Sequence, residues 1–416
     1  MRCISNKLKG SRNFYPMIKS HVVRFLTADE VSIFSISGTL IFCSLLIFFR
    51  EIKFFVEPRI WAEEGSIYIQ SFIDNGFESF FFPHLGYYSF LNKLIINFGL
   101  QIGGIKNIAF VTTYSSFIWM LIVILMPFWI KSRYWELNYQ KLALITFSLI
   151  ISPGEIWLNT INLQFFCTLA CIYLILSEPE KLSLSNYFLA SFIFVISMLT
   201  GITSVILIPF FFRRMRNGSE SERFKIWFYL AFLALLIQLA AFFFCINYQH
   251  ENRFSISNVV NLPLSFLGFF RFPGTLDFLP RAISSIFSVF FFLGVMSVIR
   301  KSKKNLLLVY LAIWIAFVFS VSSLSMNGGG RYVYVVGMVT IMLLLNSLGD
   351  HTTKKLSACL LCFICFKSVD YFYGSAIYPY DWKTYSSEVL RLDGRPGFIE
   401  VFPQNGSDKK WGIWLK

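Results

Sequence analysis

The sequence predicts an all-α polytopic membrane protein with about eleven transmembrane segments. Of its 416 residues, 56% are hydrophobic and 14% charged, where an ordinary soluble domain carries about 25% charged residues. Uncharged runs long enough to cross a bilayer recur along the chain, and short basic clusters separate them. Mean hydropathy is +0.62, and the 50 Phe residues suit contact with lipid.

Residues 31–49 form the first uncharged run. Polar and basic residues precede it and no small-residue cleavage site follows, so it reads as a signal anchor with the N-terminus in the cytoplasm. Residues 107–130 form the next span. Residues 142–177 are uncharged except for Glu155, and Ser152-Pro153-Gly154-Glu155 is a turn signal. The turn divides this stretch into two short spans, with Trp157-Leu158-Asn159-Thr160 near the outer surface. Residues 187–212 are uncharged, with Thr200-Gly201 in their middle. Spans 226–247, 282–299, 305–330 and 332–349 follow, the end of 305–330 reading as loop. The last, 356–373, is interrupted by Lys367 and Asp370.

Charge orients these spans. With the N-terminus inside, the inner loops hold Lys131, Arg133 and Lys141, then Lys181, then Arg213, Arg214, Arg216, Arg223 and Lys225. Further along they hold Arg300, Lys301, Lys303 and Lys304, then Lys354 and Lys355, as the positive-inside rule expects. Lys181 and the Arg213 cluster share a side only if 187–212 crosses an even number of times. Two half-helices meeting at Gly201 satisfy this, and unpaired backbone at the break must be buried in protein or line a wet cavity. The expected organisation is a membrane domain over 1–373 and an outer tail over 374–416. Long outer regions fall at 50–106 and 248–281.

The net charge of +14 does not point to nucleic acid, because the cations lie in runs between apolar segments. Eight Cys do not read as a disulfide framework. Cys359, Cys362 and Cys365 have a metal-like spacing but stand in an apolar run without His or carboxylate, and read as small packing residues.

Candidate chemistry lies in three outer places. The first outer region opens Glu57-Pro58-Arg59-Ile60-Trp61-Ala62-Glu63-Glu64-Gly65 and continues through Asp74, Glu78 and His84 to Gly86-Tyr87-Tyr88. Adjacent Glu63 and Glu64 diverge by about 100° on a helix, so one can face a pocket while the other faces elsewhere. A carboxyl group in a partly apolar cleft has its pKa raised toward that of a useful base. An ordinary solvated loop also accounts for these acids. The second place is Gly328-Gly329-Gly330-Arg331-Tyr332, where Arg331 suits a phosphate or snorkels to lipid headgroups. The third is Glu155, Asn159, Asn162 and Gln164 around Trp157, a combination that serves either sugar binding or helix-to-helix adhesion. Tyr87, Tyr88, Tyr378, Tyr380, Trp382 and Trp411 read as interfacial anchors.

This layout resembles the GT-C superfamily of membrane glycosyltransferases: an N-in first span, an acidic first outer region with Ala-Glu-Glu-Gly at 62–65, broken middle helices, a late outer Arg and an outer tail. Within it, size and layout resemble the phage-encoded serotype-converting O-antigen glucosyltransferases. The resemblance implies a bacterial inner-membrane enzyme acting on the periplasmic side, with undecaprenyl-phosphate glucose as donor and O-antigen of lipopolysaccharide as acceptor. Glu63 or Glu64 would be the general base, and Arg331 with Arg59 would hold the donor phosphate. Asp74, His84, Tyr87, Trp157, Asn159 and Asn162 would face sugar or acceptor. No cofactor or metal is required, although Glu63, Asp74 and His84 offer metal ligands. The superfamily often carries Lys or Arg in its broken middle helix, where this chain has Thr200-Gly201-Ile202-Thr203-Ser204. An O-antigen polymerase is the first alternative, though its large outer loop would fall late in the chain. A flippase or transporter is the second, though it would carry ionisable groups within its spans.

Overall fold

The structure, a computed structural model, describes residues 33–50, 52–84, 86–216, 222–245, 281–301, 305–322 and 330–374, with tail residues 389, 391–392, 395–401 and 411–415. The N-terminal 32 residues, the outer region up to residue 280, Gly328, Gly329, Tyr378, Tyr380 and Trp382 lie outside the described residues, as do the side chains of Lys367 and Asp370.

The described residues are mostly helical. The principal helices are α1 (Ile33–Arg50), α2 (Phe90–Ile124), α3 (Asn138–Ile150), α4 (Leu163–Leu176), α5 (Leu184–Leu199) and α6 (Ile208–Arg216). They continue with α7 (Glu222–Cys245), α8 (Arg281–Lys301), α9 (Leu306–Ser322), α10 (Gly330–Ser347) and α11 (Lys354–Gly374). A small antiparallel hairpin in the tail pairs β1 (Gly397–Glu400) with β2 (Gly412–Leu415).

Two helical stretches, Phe90–Trp129 and Glu222–Cys245, are long and apolar enough to cross a membrane. Only 28% of the apolar stretch of α7 is buried inside the protein, and Phe232, Leu233, Leu236 and Phe243 point outward from it. The core helix of a soluble protein buries such a surface, so this exposure separates α7 from that case.

The apolar periodicity sets the helices, and polar breaks end them. Ser183 caps α5 by accepting from the Asn186 amide. α2 bends at Gly104, whose φ of 62° is left-handed backbone. Beyond that bend the two halves pack together, with Gly99 facing Ile108 and Val111. Its first half therefore belongs to the outer region, which is largely helical where the sequence reads as a long loop. One-turn and short helices occupy Ile52–Val56, Glu64–Ile69, Gln70–Asn75 and Gly76–Phe80. Cys359, Cys362 and Cys365 line an exposed face of α11, and so are not the packing residues that the sequence suggests.

The basic loops converge at one end of the molecule. The Glu178 amide donates to the Lys131 carbonyl at 2.9 Å. Arg214 donates to the carbonyls of Ile175 and Ser177, and Arg223 to those of Pro179 and Leu182. These guanidinium groups satisfy the carbonyls left open as α4 ends, where the helix dipole also favours a cation. The start of α5 and the end of α6 thus lie at the same end, and the chain between them turns back at Thr200–Gly201.

That reversal is fully paired. Gly201 has φ 85°, its amide donates to the Tyr88 carbonyl at 3.0 Å, and Thr200 bridges Ser89. Gln238, midway along apolar α7, accepts from the Tyr88 amide and returns a hydrogen bond to the Tyr88 carbonyl. Outer-region backbone therefore satisfies the broken helix, as an apolar surrounding demands. A Cβ on Gly201 would overlap the Gln164 side-chain oxygen. Gly201→Ala combines that clash with left-handed backbone and is expected to cost on the order of 2 kcal/mol. Thermal unfolding of the detergent-solubilised protein checks this, and an unchanged midpoint would mean that the reversal is not rigid.

Candidate functional site

The candidate site forms at the end opposite the basic loops, where the first outer region meets the turn after α3 and the start of α10. After Pro58, the chain enters a helical turn at Ala62 that widens to π geometry over Glu64–Ile69. Such widened turns recur at functional sites. Neighbouring residues there point apart, and the two glutamates take different surroundings.

Glu64 has no exposed surface. Its carboxyl group accepts from the Trp61 amide at 2.8 Å and from the Thr160 amide at 2.6 Å. The Thr160 hydroxyl lies within hydrogen-bond distance of both the Glu64 carboxyl and Asn92 Oδ1. One hydroxyl hydrogen serves one acceptor. Given to Glu64, it makes Thr160 a further donor to this carboxyl group, and the Asn92 amide, whose Nδ2 is buried without a partner among the described residues, donates to the Thr160 hydroxyl when turned about. Burial raises the Glu64 pKa and outweighs the hydrogen bonds from Thr160 and Trp61 and the charge of Arg59, which lower it. This buried acid ties the outer region to the turn between α3 and α4.

Glu63 is half-exposed, and its Oε2 is buried with no hydrogen-bond partner among the described residues. Glu63 and Arg331 both act electrostatically on the Tyr87 phenol. Burial raises the pKa of that phenol most, with Tyr332 and Glu63 adding to it, while Tyr68 and Arg331 pull it down. The Tyr68 hydroxyl lies among Tyr87, Ser89 and Asn92. His84 meets the Tyr68 ring edge-on at 5.4 Å. Burial, and then the Lys93 charge, hold the His84 pKa down to about 4, so this imidazole is neutral at pH 7. Its Nε2 is buried without a partner among the described residues. Lys93 is buried and donates to the carbonyls of Ser79 and Phe82, bracing the loop that carries His84. The structure therefore gathers Glu63, His84, Tyr87 and Arg331 with Tyr68 and Tyr332, and the described portion of the triglycine run, Gly330, opens the helix that presents Arg331.

Other expected site residues have structural work instead. Trp157, Asn159 and Asn162 are completely buried. The Asn159 and Asn162 amides both donate to the Glu155 carbonyl at 2.7 Å, and Trp157 lies 4.0 Å from the Arg50 guanidinium. A sugar cannot stack on a covered ring, so the expectation of sugar contact at these three residues is corrected. These bonds also hold Leu158 in left-handed backbone, at φ 53°. The turn is folded inward and is not displayed at the surface.

Arg59 is buried, donates to the Gly154 carbonyl, and lies over the rings of Phe54 and Trp61. Its surroundings fit it to hold the same turn rather than a donor phosphate. Asp74 stands about 16 Å along the helical path from Glu63. It is exposed and accepts from Gln70, which pairs in both directions with the Trp414 backbone of the tail hairpin. Glu63, Asp74 and His84 do not gather as metal ligands, and no metal-binding group of three occurs among the described residues.

Sequence reasoning missed Arg50, Asn92, Lys93, Thr160 and Gln238. Arg50 is buried and caps the end of α3 through Leu149 and Ser152. A lone cation or amide within an apolar run was the available signal in Arg50, Lys93 and Gln238. Comparison with protein families, curated proteins and solved structures finds no match for this chain.

Burial gives Glu64 a folded-state pKa above its unfolded one. Its contribution to stability is present below the ordinary carboxylate range and is lost as pH rises through the raised value. Glu64→Gln keeps the shape without the titration, so wild type should lose thermal stability relative to this variant as pH rises above the ordinary carboxylate range. Parallel midpoints would show that folding does not raise the pKa of Glu64. Glu64→Ala leaves the Trp61 and Thr160 amides unpaired and should cost on the order of 3 kcal/mol.

Proposed function

We propose that this protein is an integral inner-membrane glycosyltransferase. In this reading it moves a glucosyl or other hexosyl group from a polyprenyl-phosphate sugar to O-antigen repeat units on the periplasmic side, changing serotype. The observation that carries the reading is Glu63: a carboxyl oxygen, buried and without a partner among the described residues, acting like Arg331 on the Tyr87 phenol. A base and a cation facing one aromatic pocket suit transfer from a phosphate leaving group to a hydroxyl.

Glu63 is the general base. It removes the proton of an acceptor hydroxyl as that oxygen forms a bond to the anomeric carbon of the donor. The bond from that carbon to the phosphate oxygen breaks with its electron pair, and the configuration inverts. Arg331 stabilises the charge developing on the lipid phosphate. Tyr87, Tyr68 and neutral His84 line the sugar pocket. Glu64, its oxygens taken by the Trp61 and Thr160 amides, positions Glu63.

The eleven principal helices correspond to the eleven proposed membrane segments, with α5 as one half meeting at Gly201 and the short helix Ile202–Val205 followed by α6 as the other. The convergent basic loops then face the cytoplasm, and the site faces the periplasm. The lipid tail of the donor enters sideways between helices. The tail hairpin belongs to the outer side and packs on the helix bearing the acids, with Val401 seated against Gly65.

The test is O-antigen mass in a host making polyprenyl-phosphate glucose and this chain. Wild type should add one hexose per repeat. Glu63→Gln should reduce transfer by ~10²–10⁴-fold, and Arg331→Gln by ~10²-fold. Glu64→Gln should retain most activity. Full activity in Glu63→Gln, with the protein present in the membrane, would remove the base assignment. An unmodified repeat with wild type would remove the transferase reading for that acceptor.

A further inference from the structure

A cavity lies at the end that carries the basic loops. Between α6 and α9 runs a lateral groove of about 570 Å³. Its walls are Phe210, Tyr310, Ile313 and Phe317, with Pro209 and Trp314 closing it. It exists because the chain breaks again just before α6. The carbonyl of Ile206, freed at that break, accepts from Trp314 Nε1 at 2.7 Å. This bond fixes α9 against the break and leaves the groove beside it.

The groove has a polarity. α6 and α9 run antiparallel, so Arg213 meets Tyr310 at one end, with the guanidinium 5.0 Å from the ring centroid. Arg213 is the charged residue lining the groove. It lies at the basic end, beside Arg214 and Arg216. The rest is aromatic and aliphatic, running two turns along α9 to Phe317. A cation at the inner boundary and an apolar slot pointing toward the middle match one kind of molecule: an amphiphile with an anionic head and hydrocarbon tail.

We infer that this groove binds an anionic phospholipid of the cytoplasmic leaflet, its phosphate at Arg213 and an acyl chain against Trp314 and Phe317. The inference rests on the membrane reading above but not on the transfer reaction. Arg214 and Arg223 are engaged with backbone carbonyls, whereas the Arg213 guanidinium lies over an aromatic face at the groove mouth. The groove opens at the end opposite Glu63, so this lipid is separate from the sugar donor.

The test reconstitutes the full chain in nanodiscs of equal phosphatidylglycerol and phosphatidylcholine, then counts retained lipids by native mass spectrometry. Wild type should retain phosphatidylglycerol about fivefold over phosphatidylcholine, the ratio expected for one interfacial arginine. Arg213→Gln should bring that ratio near unity. Ile313→Trp, which fills the slot, should remove retention of both. Glu63→Gln, which tests the reaction, should leave retention unchanged. Wild-type retention in both groove variants would overturn the inference. Displacement of phosphatidylglycerol by equimolar undecaprenyl phosphate would also overturn it, by assigning the groove to the donor. Release of the chain from membranes by alkaline carbonate would remove the membrane reading and the inference together.

Discussion

One buried carboxyl group joins two segments 96 residues apart. Glu64 takes the backbone amides of Trp61 and Thr160 on its two oxygens, and so fixes the outer region onto the turn between α3 and α4. The arrangement at this end depends on that junction. Arg50 and Arg59 hold the same turn from below and beside, each through its carbonyls. With the turn held, the helix bearing Glu63 is held too, and Glu63 and Arg331 both act electrostatically on the Tyr87 phenol.

The same constraint recurs wherever the chain breaks. In apolar surroundings an unpaired peptide group costs several kcal/mol, and three interruptions among the described residues take partners from distant segments. Tyr88 and Gln238 serve the break at Gly201, Trp314 serves the break at Ile206, and arginines serve the ends of α4. These partners are side chains that an apolar helix would otherwise exclude. Gln238 in α7 is the plainest case, since its amide matches one peptide unit in both donor and acceptor.

Much of this was legible in the sequence because glycine, proline and basic residues act locally. Gly201 marks the reversal because only glycine accepts its backbone without strain, and Pro153-Gly154 marks the turn after α3. The clustering of Lys131, Lys181 and Arg213 at one end followed from charge alone. Burial was not legible in the same way. Nothing local distinguishes a tryptophan and two asparagines that bind sugar from the same residues folded inward around Glu155. That outcome depends on Arg50 arriving from α1. Likewise, adjacency showed that Glu63 and Glu64 diverge, but only the approach of Thr160 decides which one is buried. The outer region read as loop because its short helices gain their order from packing on α2 and the tail hairpin rather than from long periodicity.

The two ends of the molecule also explain how adjacent acids divide their work. At Glu64 burial raises the carboxyl pKa, while the donors from Thr160 and Trp61 and the charge of Arg59 lower it. Its oxygens are taken by those donors, which leaves Glu63 as the adjacent acid with a buried oxygen unpaired among the described residues. The basic clusters lie at the far end, where they cannot neutralise the pocket. On the transferase reading, the leaving phosphate takes Arg331 while Glu63 accepts a proton, with Lys93 held on the carbonyls of Ser79 and Phe82.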